Sequence, residues 1–272
     1  MNHDLIIDIN CVGLGDVLTY TPIFKYYKNA FVRFIDNDKA RKVSILYDGL
    51  CKYDFFKDNV GDNINGNVDV ATHTAARRLL QLNLGHISPI PKINSYLNYI
   101  DKAKDILNNY DLDPNKENLA IVADPAGSHD ADLTFGKVRM MDLERWEKIL
   151  FKLKDKYNLL QFGLSHKTTK LPYTKPILDL DIGTLSACYF IIKKYVGVDT
   201  GDYHLMLSVG GKCCVFSPAN NEGGIHTYRT WQWHYKPEWF EMEGEKNRAN
   251  YFHKNFDYKD LKTLNNYILS FL

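Results

Sequence analysis

Along this chain, short apolar runs alternate with stretches whose apolar residues recur at helical spacing, which is how buried strands and amphipathic helices read in a parallel α/β sheet. In the first half the pattern predicts strands at residues 5–9, 43–47 and 68–72, and helices at 16–28, 75–82 and 94–110. Pro22 falls inside the first of these helices and should kink or reset it after Tyr20. The polar stretch 111–118, which contains Pro114, separates two apolar patterns and reads as a linker. Beyond it the rhythm restarts with strand 119–123, helix 142–156, strands 159–162 and 177–180, helix 184–193, strand 195–198, helix 203–209 and strand 213–216. A last helix covers 258–271. Two successive series of similar size imply two Rossmann-like domains facing across a cleft, residues 1–115 and 116–257, with the helix in 258–272 packing back across them.

Composition bounds the function. With 45% hydrophobic and 25% charged residues among 272, the chain is excluded from the disordered, collagen-like and disulfide-scaffold classes. Lys and Arg number 34 against 33 Asp and Glu, so no global field draws the protein to nucleic acid or an anionic membrane, and any such binding has to be local. Cys11, Cys51, Cys188, Cys213 and Cys214 lack metal-finger spacing and read as free thiols of a reducing compartment. No cationic leader precedes Leu5, and no window nears the ~20 apolar residues of a membrane span, so a cytoplasmic location is expected.

Chemistry enters at Gly13-Leu-Gly-Asp-Val-Leu-Thr-Tyr-Thr-Pro22, a glycine-bearing turn between a strand and a helix. Such a turn lies at the carboxyl edge of a sheet, where α/β proteins place ligands. A dinucleotide fingerprint fits poorly, because Leu18 stands where a third glycine belongs and Asp16 occupies the first helical turn, where a pyrophosphate would sit. The helix dipole favours an ionised Asp16, which suits a general base; the alternative is that Asp16 caps the helix.

The second segment, Tyr195-Val-Gly-Val-Asp-Thr-Gly-Asp-Tyr-His-Leu205, again runs from an apolar strand into a helix. Gly201 lets backbone approach a ligand closely, and Thr200 with the N–H groups after it can cradle an anionic oxygen. His204 can donate to a phosphate, with Asp199 orienting it or the loop. Capping by Asp199 and a packed His204 form the structural alternative.

Together, Gly15-Asp-Val-Leu18 with Thr21-Pro22, and Val198-Asp-Thr-Gly-x-x-His204-Leu205, resemble the paired signatures of the heptosyltransferase-like glycosyltransferases, family 9 of the GT-B fold. Trp146, the strand Leu159-Leu-Gln-Phe-Gly163 and Thr184-Leu-Ser-Ala-Cys188 stand between them in the order that family shows. The resemblance implies an α/β, GT-B type architecture whose N-terminal domain holds the acceptor, with Gly13, Gly15 and Thr19 on that side. The C-terminal domain would hold a nucleotide-diphosphate sugar. Transfer would be inverting and would need no metal or cofactor, with Asp16 taking the proton of the acceptor hydroxyl. Asp199, Thr200, Gly201 and His204 would meet the diphosphate. Lys137 or Arg139, in the loop before Trp146, would add a cation, with solvated surface charge as the alternative for each. Ser128, in Pro125-Ala-Gly-Ser-His129, would lie on the phosphate side or simply in a loop. Gly163 would fall near the ribose, and Leu180 and Ile182 would flank the base or simply pack. The acidic ribose contact common in the family has no obvious match here. Expected partners are a nucleotide-sugar donor, a glycan or lipid-linked acceptor and a peripheral membrane contact.

Two features stay outside that scheme. Asp36-x-Asp38, Asp111-x-Asp113, Asp130-x-Asp132 and Asp179-x-Asp181 each satisfy a metal-binding Asp-x-Asp pattern, and four matches in an Asp-rich chain say little. The aromatic stretch 226–240 follows the strand at 213–216 and reads either as the anchor of a long connection or as a sugar-stacking surface. Two other functions compete: glycosylation of a modified nucleic-acid base, disfavoured by the near-zero charge, and a non-catalytic nucleotide-sugar or glycan-binding module.

Overall fold

The computed structural model describes residues 5–10, 13–57, 63–64, 88–124, 141–217, 235–253 and 261–272. It contains two sheets. In the first, β1 (Leu5–Ile9), β2 (Ala30–Ile35) and β3 (Lys52–Phe56) run parallel in the order β3-β2-β1, and the two-residue β4 (Asn63–Ile64) joins β1 antiparallel. Ala30, Val32 and Phe34 alternate into the core as the two-residue strand period requires. Arg33, two-fold out of phase with them, grips the buried Asp8 of β1 bidentately, Nε to Oδ1 at 2.6 Å and Nη2 to Oδ2 at 2.7 Å.

The predicted helix at 16–28 is two elements. Helix α1 (Leu14–Thr19) ends at Tyr20, and a 3-10 turn, Thr21–Lys25, takes over with Pro22 in its first positions, because proline cannot extend the α-helical ladder. The Tyr47 hydroxyl donates to the Val17 carbonyl at 2.6 Å and satisfies an acceptor near that helix end. Residues 43–47, which read as a strand, are helical instead. Asn37 Oδ1 accepts from the Ala40 N–H at 2.8 Å and starts α2 (Asp38–Ser44), which continues into the 3-10 turn Ile45–Tyr47. Ala40, Val43 and Tyr47 therefore face inward at helical spacing. The predicted elements at 68–72 and 75–82 lie outside the described residues.

The second sheet is wholly parallel. Its strands β5 (Glu117–Val122), β6 (Tyr157–Gly163), β7 (Lys175–Leu178), β8 (Lys194–Val198), β9 (Lys212–Ser217) and β10 (Ala249–His253) lie in the order β10-β9-β8-β5-β6-β7. Strand order reverses between β5 and β8, so the connections leaving their carboxyl ends diverge to opposite faces and open a crevice. The helices are α3 (Ile100–Asn108), α4 (Leu143–Leu153), α5 (Ile182–Ile192), α6 (Gly201–Ser208), α7 (Pro237–Glu241) and α8 (Leu261–Phe271). Asp142 and Asp181 start α4 and α5 by accepting the N–H groups of Arg145 and Thr184, each at 2.8 Å. The polar stretch 111–118 is tied down by Asn158, whose side chain accepts from the Asp113 N–H and donates to the Asp113 carbonyl, both at 3.0 Å.

One apolar cluster runs through both sheets' surroundings, from Ile7, Phe34 and Tyr47 to Tyr189, Tyr203 and Val215. A second fills the other face of the six-stranded sheet, where Trp146, Ile149 and Leu153 of α4 pack with Leu264 and Ile268 of α8. Among the described residues, Trp239, Glu243 and Glu245 reach back to the first sheet's unit and the connection after it. Ser88 Oγ donates to the Trp239 carbonyl at 2.9 Å, and the Glu243 carboxylate takes Lys25 at 3.0 Å and Lys92 at 2.8 Å. No helix among the described residues is long and apolar enough to cross a membrane.

Burial raises the Glu243 carboxyl, and hydrogen bonds from Lys92 and Lys25 more than offset it, leaving the group below the ordinary glutamate range. A depressed carboxylate adds stability that is full above the unfolded value of about 4.3 and disappears as pH falls through the lower folded value. Glu243→Gln is accordingly expected to cost about 1 kcal/mol at neutral pH. Urea unfolding of both proteins checks this: the gap should narrow as pH falls below the ordinary glutamate range, and an undiminished gap in acid would assign the effect to packing.

Candidate functional site

The two sequence segments singled out for chemistry touch. The turn after β1 and the turn after β8 bring the first residues of α1 and α6 against each other. A Cβ on Gly201 would stand 2.7 Å from Leu14 Cβ and 3.0 Å from the Gly15 nitrogen, and one on Gly15 would stand 2.9 Å from His204 Cδ2. Glycine is required at both positions by this approach of backbone to backbone and backbone to ring. Asp16, the next residue of α1, is half-buried, and its carboxylate folds back over Gly13, where any side chain would collide with Oδ2. The junction thus joins an acidic helix start from one unit to an imidazole-bearing helix start from the other, beside the point where the second sheet reverses its strand order.

The α6 turn is held from below. Thr200, not Asp199, is its cap: Thr200 Oγ1 accepts from the Asp202 N–H at 3.0 Å and donates to Asp202 Oδ2 at 2.9 Å. The Tyr189 hydroxyl of α5 donates to Asp202 Oδ1 at 2.9 Å. Burial pushes the Asp202 carboxyl above the ordinary aspartate range, opposed by hydrogen bonds from Tyr189, Thr200 and its own N–H. Asp199 is buried, and its N–H donates to the Phe216 carbonyl at 3.1 Å, which fixes the start of the turn on β9.

His204 is buried, and its Nδ1 lies 2.7 Å from the Tyr235 hydroxyl. Tyr235 belongs to the aromatic stretch 226–240, whose residues 226–234 lie outside the described residues. Its described part serves as an anchor: Tyr235 and Phe240 are buried, and Trp239 packs on the main apolar cluster. Packing and placement at the junction are therefore both true of His204. Asp202 and Tyr235 were not singled out from the sequence; Asp202 reads there as an ordinary first-turn acid, and Tyr235 meets its partner 31 positions away.

The remaining expected site residues scatter. Lys137, Arg139 and Ser128 lie outside the described residues. Gly163 closes β6, with its carbonyl accepting from the Asp179 N–H at 3.0 Å. Leu180 and Ile182 lie after β7 and at the start of α5, partly buried against the main cluster. Thr19 is buried and donates to the Asp16 carbonyl at 2.7 Å, so its hydroxyl is spent within α1. At the carboxyl end of β5, a cavity of about 400 Å³ is lined by Ala123, Asp124, Met141, Trp146 and Thr169, among others. Asp124 faces Thr169 there, accepting its N–H at 2.6 Å.

Several Asp-x-Asp positions have structural partners. Asp36 pairs with Arg41 at 2.6 Å, Asp179 accepts the Ser165 N–H at 2.9 Å, and Asp181 caps α5 and takes Lys102 at 2.6 Å. Asp130 and Asp132 lie outside the described residues. Cys51, Cys188, Cys213 and Cys214 are free thiols. Burial pushes Cys51 and Cys188 up to about 12, which removes thiolate chemistry at neutral pH.

Solved structures that share this architecture include a family 9 glycosyl transferase from Veillonella parvula, at TM-score 0.58 and 12% identity over 92% of this chain and 86% of that one. The E. coli heptosyltransferase WaaC with ADP matches at TM-score 0.53 and 10% identity over 97% and 96% of the two chains. The iron-containing dodecameric glycosyltransferase TibC from enterotoxigenic E. coli matches at TM-score 0.50 and 11% identity, over 78% of this chain and 58% of that one. No protein-family model and no curated protein matches the sequence. At these identities the likeness is one of fold: the chain is an α/β protein of GT-B type, built like the family 9 glycosyltransferase structures whose motifs its sequence resembles.

Proposed function

We propose that this chain is a nucleotide-sugar-dependent glycosyltransferase working with inversion at the anomeric carbon. In this reading residues 1–115 hold the acceptor, a glycan or lipid-linked hydroxyl, and residues 116–257 hold the donor. The observation that carries it is the contact of Gly15 with His204 and Gly201, which sets Asp16 of one unit beside the Asp199-Thr200-Gly201 turn of the other. That pairing is what a two-substrate displacement needs, with one group to take a proton and a nearby cradle for a departing anion.

The acceptor oxygen attacks the anomeric carbon, the bond from that carbon to the diphosphate oxygen breaks, and the acceptor proton passes to Asp16. Negative charge then grows on the leaving diphosphate. The α6 N-terminus, His204 and a cation from Lys137 or Arg139 would stabilise it, so the proposal assigns no step to a metal or cofactor. The cavity at the end of β5 lies on the donor's unit; Gly163 ends β6, and Leu180 and Ile182 follow β7 of the same sheet. Fold likeness to heptosyltransferase structures, one of them with ADP, supports a nucleotide-diphosphate donor.

Incubation with a panel of nucleotide-diphosphate sugars, read by mass spectrometry for released nucleoside diphosphate, tests the reading and identifies the donor. Absence of release from every donor would favour a binding module. With a donor in hand, Asp16→Asn is expected to lower kcat by about 10²–10⁴-fold, the range of general-base catalysis; full activity in that variant would remove Asp16 from the role. Gly201→Ala is expected to lower transfer by at least about tenfold and stability by about 1–3 kcal/mol, because its Cβ would meet Leu14 Cβ at 2.7 Å and the two helix starts would have to separate. Thermal unfolding beside the kinetic assay checks both effects.

A further inference from the structure

We propose that Tyr235 is a positioning residue that fixes His204 as the tautomer with its proton on Nε2, so that the imidazole offers a donor toward the first turn of α1. The functional consequence rests on reading the junction as the transfer site; the tautomer assignment rests on geometry alone.

Tyr235 is 5% exposed, and its hydroxyl lies 2.7 Å from His204 Nδ1, the one hydrogen-bond partner that the described structure gives it. Burying a hydroxyl without an acceptor for its proton carries a free-energy cost. If Nδ1 carried a proton, it would donate to the tyrosine oxygen and leave the tyrosine proton buried without an acceptor, a penalty that biases the equilibrium by about tenfold or more. Tyr235 therefore donates, Nδ1 accepts with its lone pair, and the proton of the neutral ring resides on Nε2.

The ring is also held against rotation, which would exchange the two nitrogens. Tyr203 lies over it with centroids 4.0 Å apart, and Tyr235 meets it edge-on at 5.4 Å. Tyr235 is fixed in turn: its N–H donates to the Tyr251 hydroxyl at 2.9 Å, and Trp239 packs against its ring at 6.2 Å. On the opposite edge of His204, a Cβ at Gly15 would come within 2.9 Å of Cδ2 and 3.3 Å of Nε2, so Nε2 is turned to the α1 start that carries Asp16. An N–H at that position attracts a diphosphate oxygen, whereas a lone pair would repel it.

The test is the histidine side-chain nitrogen spectrum of the full-length protein at neutral pH, with the His204 signals assigned by their loss in His204→Asn. The expected wild-type result is a pyridine-type Nδ1 and a pyrrole-type Nε2; a pyrrole-type Nδ1 overturns the proposal. In Tyr235→Phe the preference should relax toward a mixture and kcat should fall by about tenfold with little change in donor KM. A Tyr235→Phe spectrum identical to wild type also overturns it. Should Tyr235→Phe not fold, the wild-type spectrum decides. Absence of turnover on every nucleotide sugar would instead sink the transferase reading, and the spectrum would still decide the tautomer.

Discussion

The close approach of two helix starts, allowed by Gly15 and Gly201, is the constraint on which this architecture turns. Two helix N-termini brought together oppose like ends of their dipoles and concentrate unpaired N–H groups, so the arrangement is unfavourable unless negative charge is present. The chain supplies some of it. Asp16 stands in the first turn of α1 and Asp202 in the first turn of α6. They are used differently. Asp202 is sunk beneath the turn and consumed by Tyr189 and Thr200, whereas Asp16 is half-buried at the junction itself. One carboxylate builds the turn, and the other sits half-buried where the two helix starts meet.

The same constraint explains how a chain of net charge +1 can be read as handling a diphosphate. The reversal of strand order between β5 and β8 opens the crevice, and the α6 start faces into the junction from the β8 side. Favourable potential for an anion then comes from oriented backbone over a few ångströms, where no Debye screening intervenes, and needs no excess of surface lysine.

The sequence shows these local devices and hides the distant ones. Strand-to-helix turns at Gly13 and Thr200, Pro22 ending the first helix and the Asp142 cap are all written within a few neighbouring residues. Residues 43–47 mislead because a run of Val, Ile, Leu and Tyr satisfies both strand propensity and a buried helical face, and the decision belongs to the Asn37 cap six positions upstream. Strand β2 escapes notice because the exposed Arg33 interrupts its apolar pattern, and the arginine's pairing with the buried Asp8 is visible only across the sheet. Strand β10, Ala-Asn-Tyr-Phe-His, likewise looks like loop until its pairing with β9 is seen. Tyr235 is legible as an aromatic anchor and illegible as the partner of His204, since nothing local links positions 31 residues apart.

That last pairing bears on why the chain continues past β9 at all. The segment from Tyr235 to Arg248 holds α6 at both ends. Tyr235 bonds His204 near its start, and Arg248 Nη1 donates to the carbonyls of Leu207 and Gly211 at its finish, each at 3.0 Å. A guanidinium at a helix C-terminus satisfies orphan carbonyls and complements the dipole, so it steadies the helix from the end remote from the junction. Between those two points the segment reaches Lys25 and Lys92 through Glu243. Helix α6 is therefore clamped by the same stretch of chain that contacts the opposite unit.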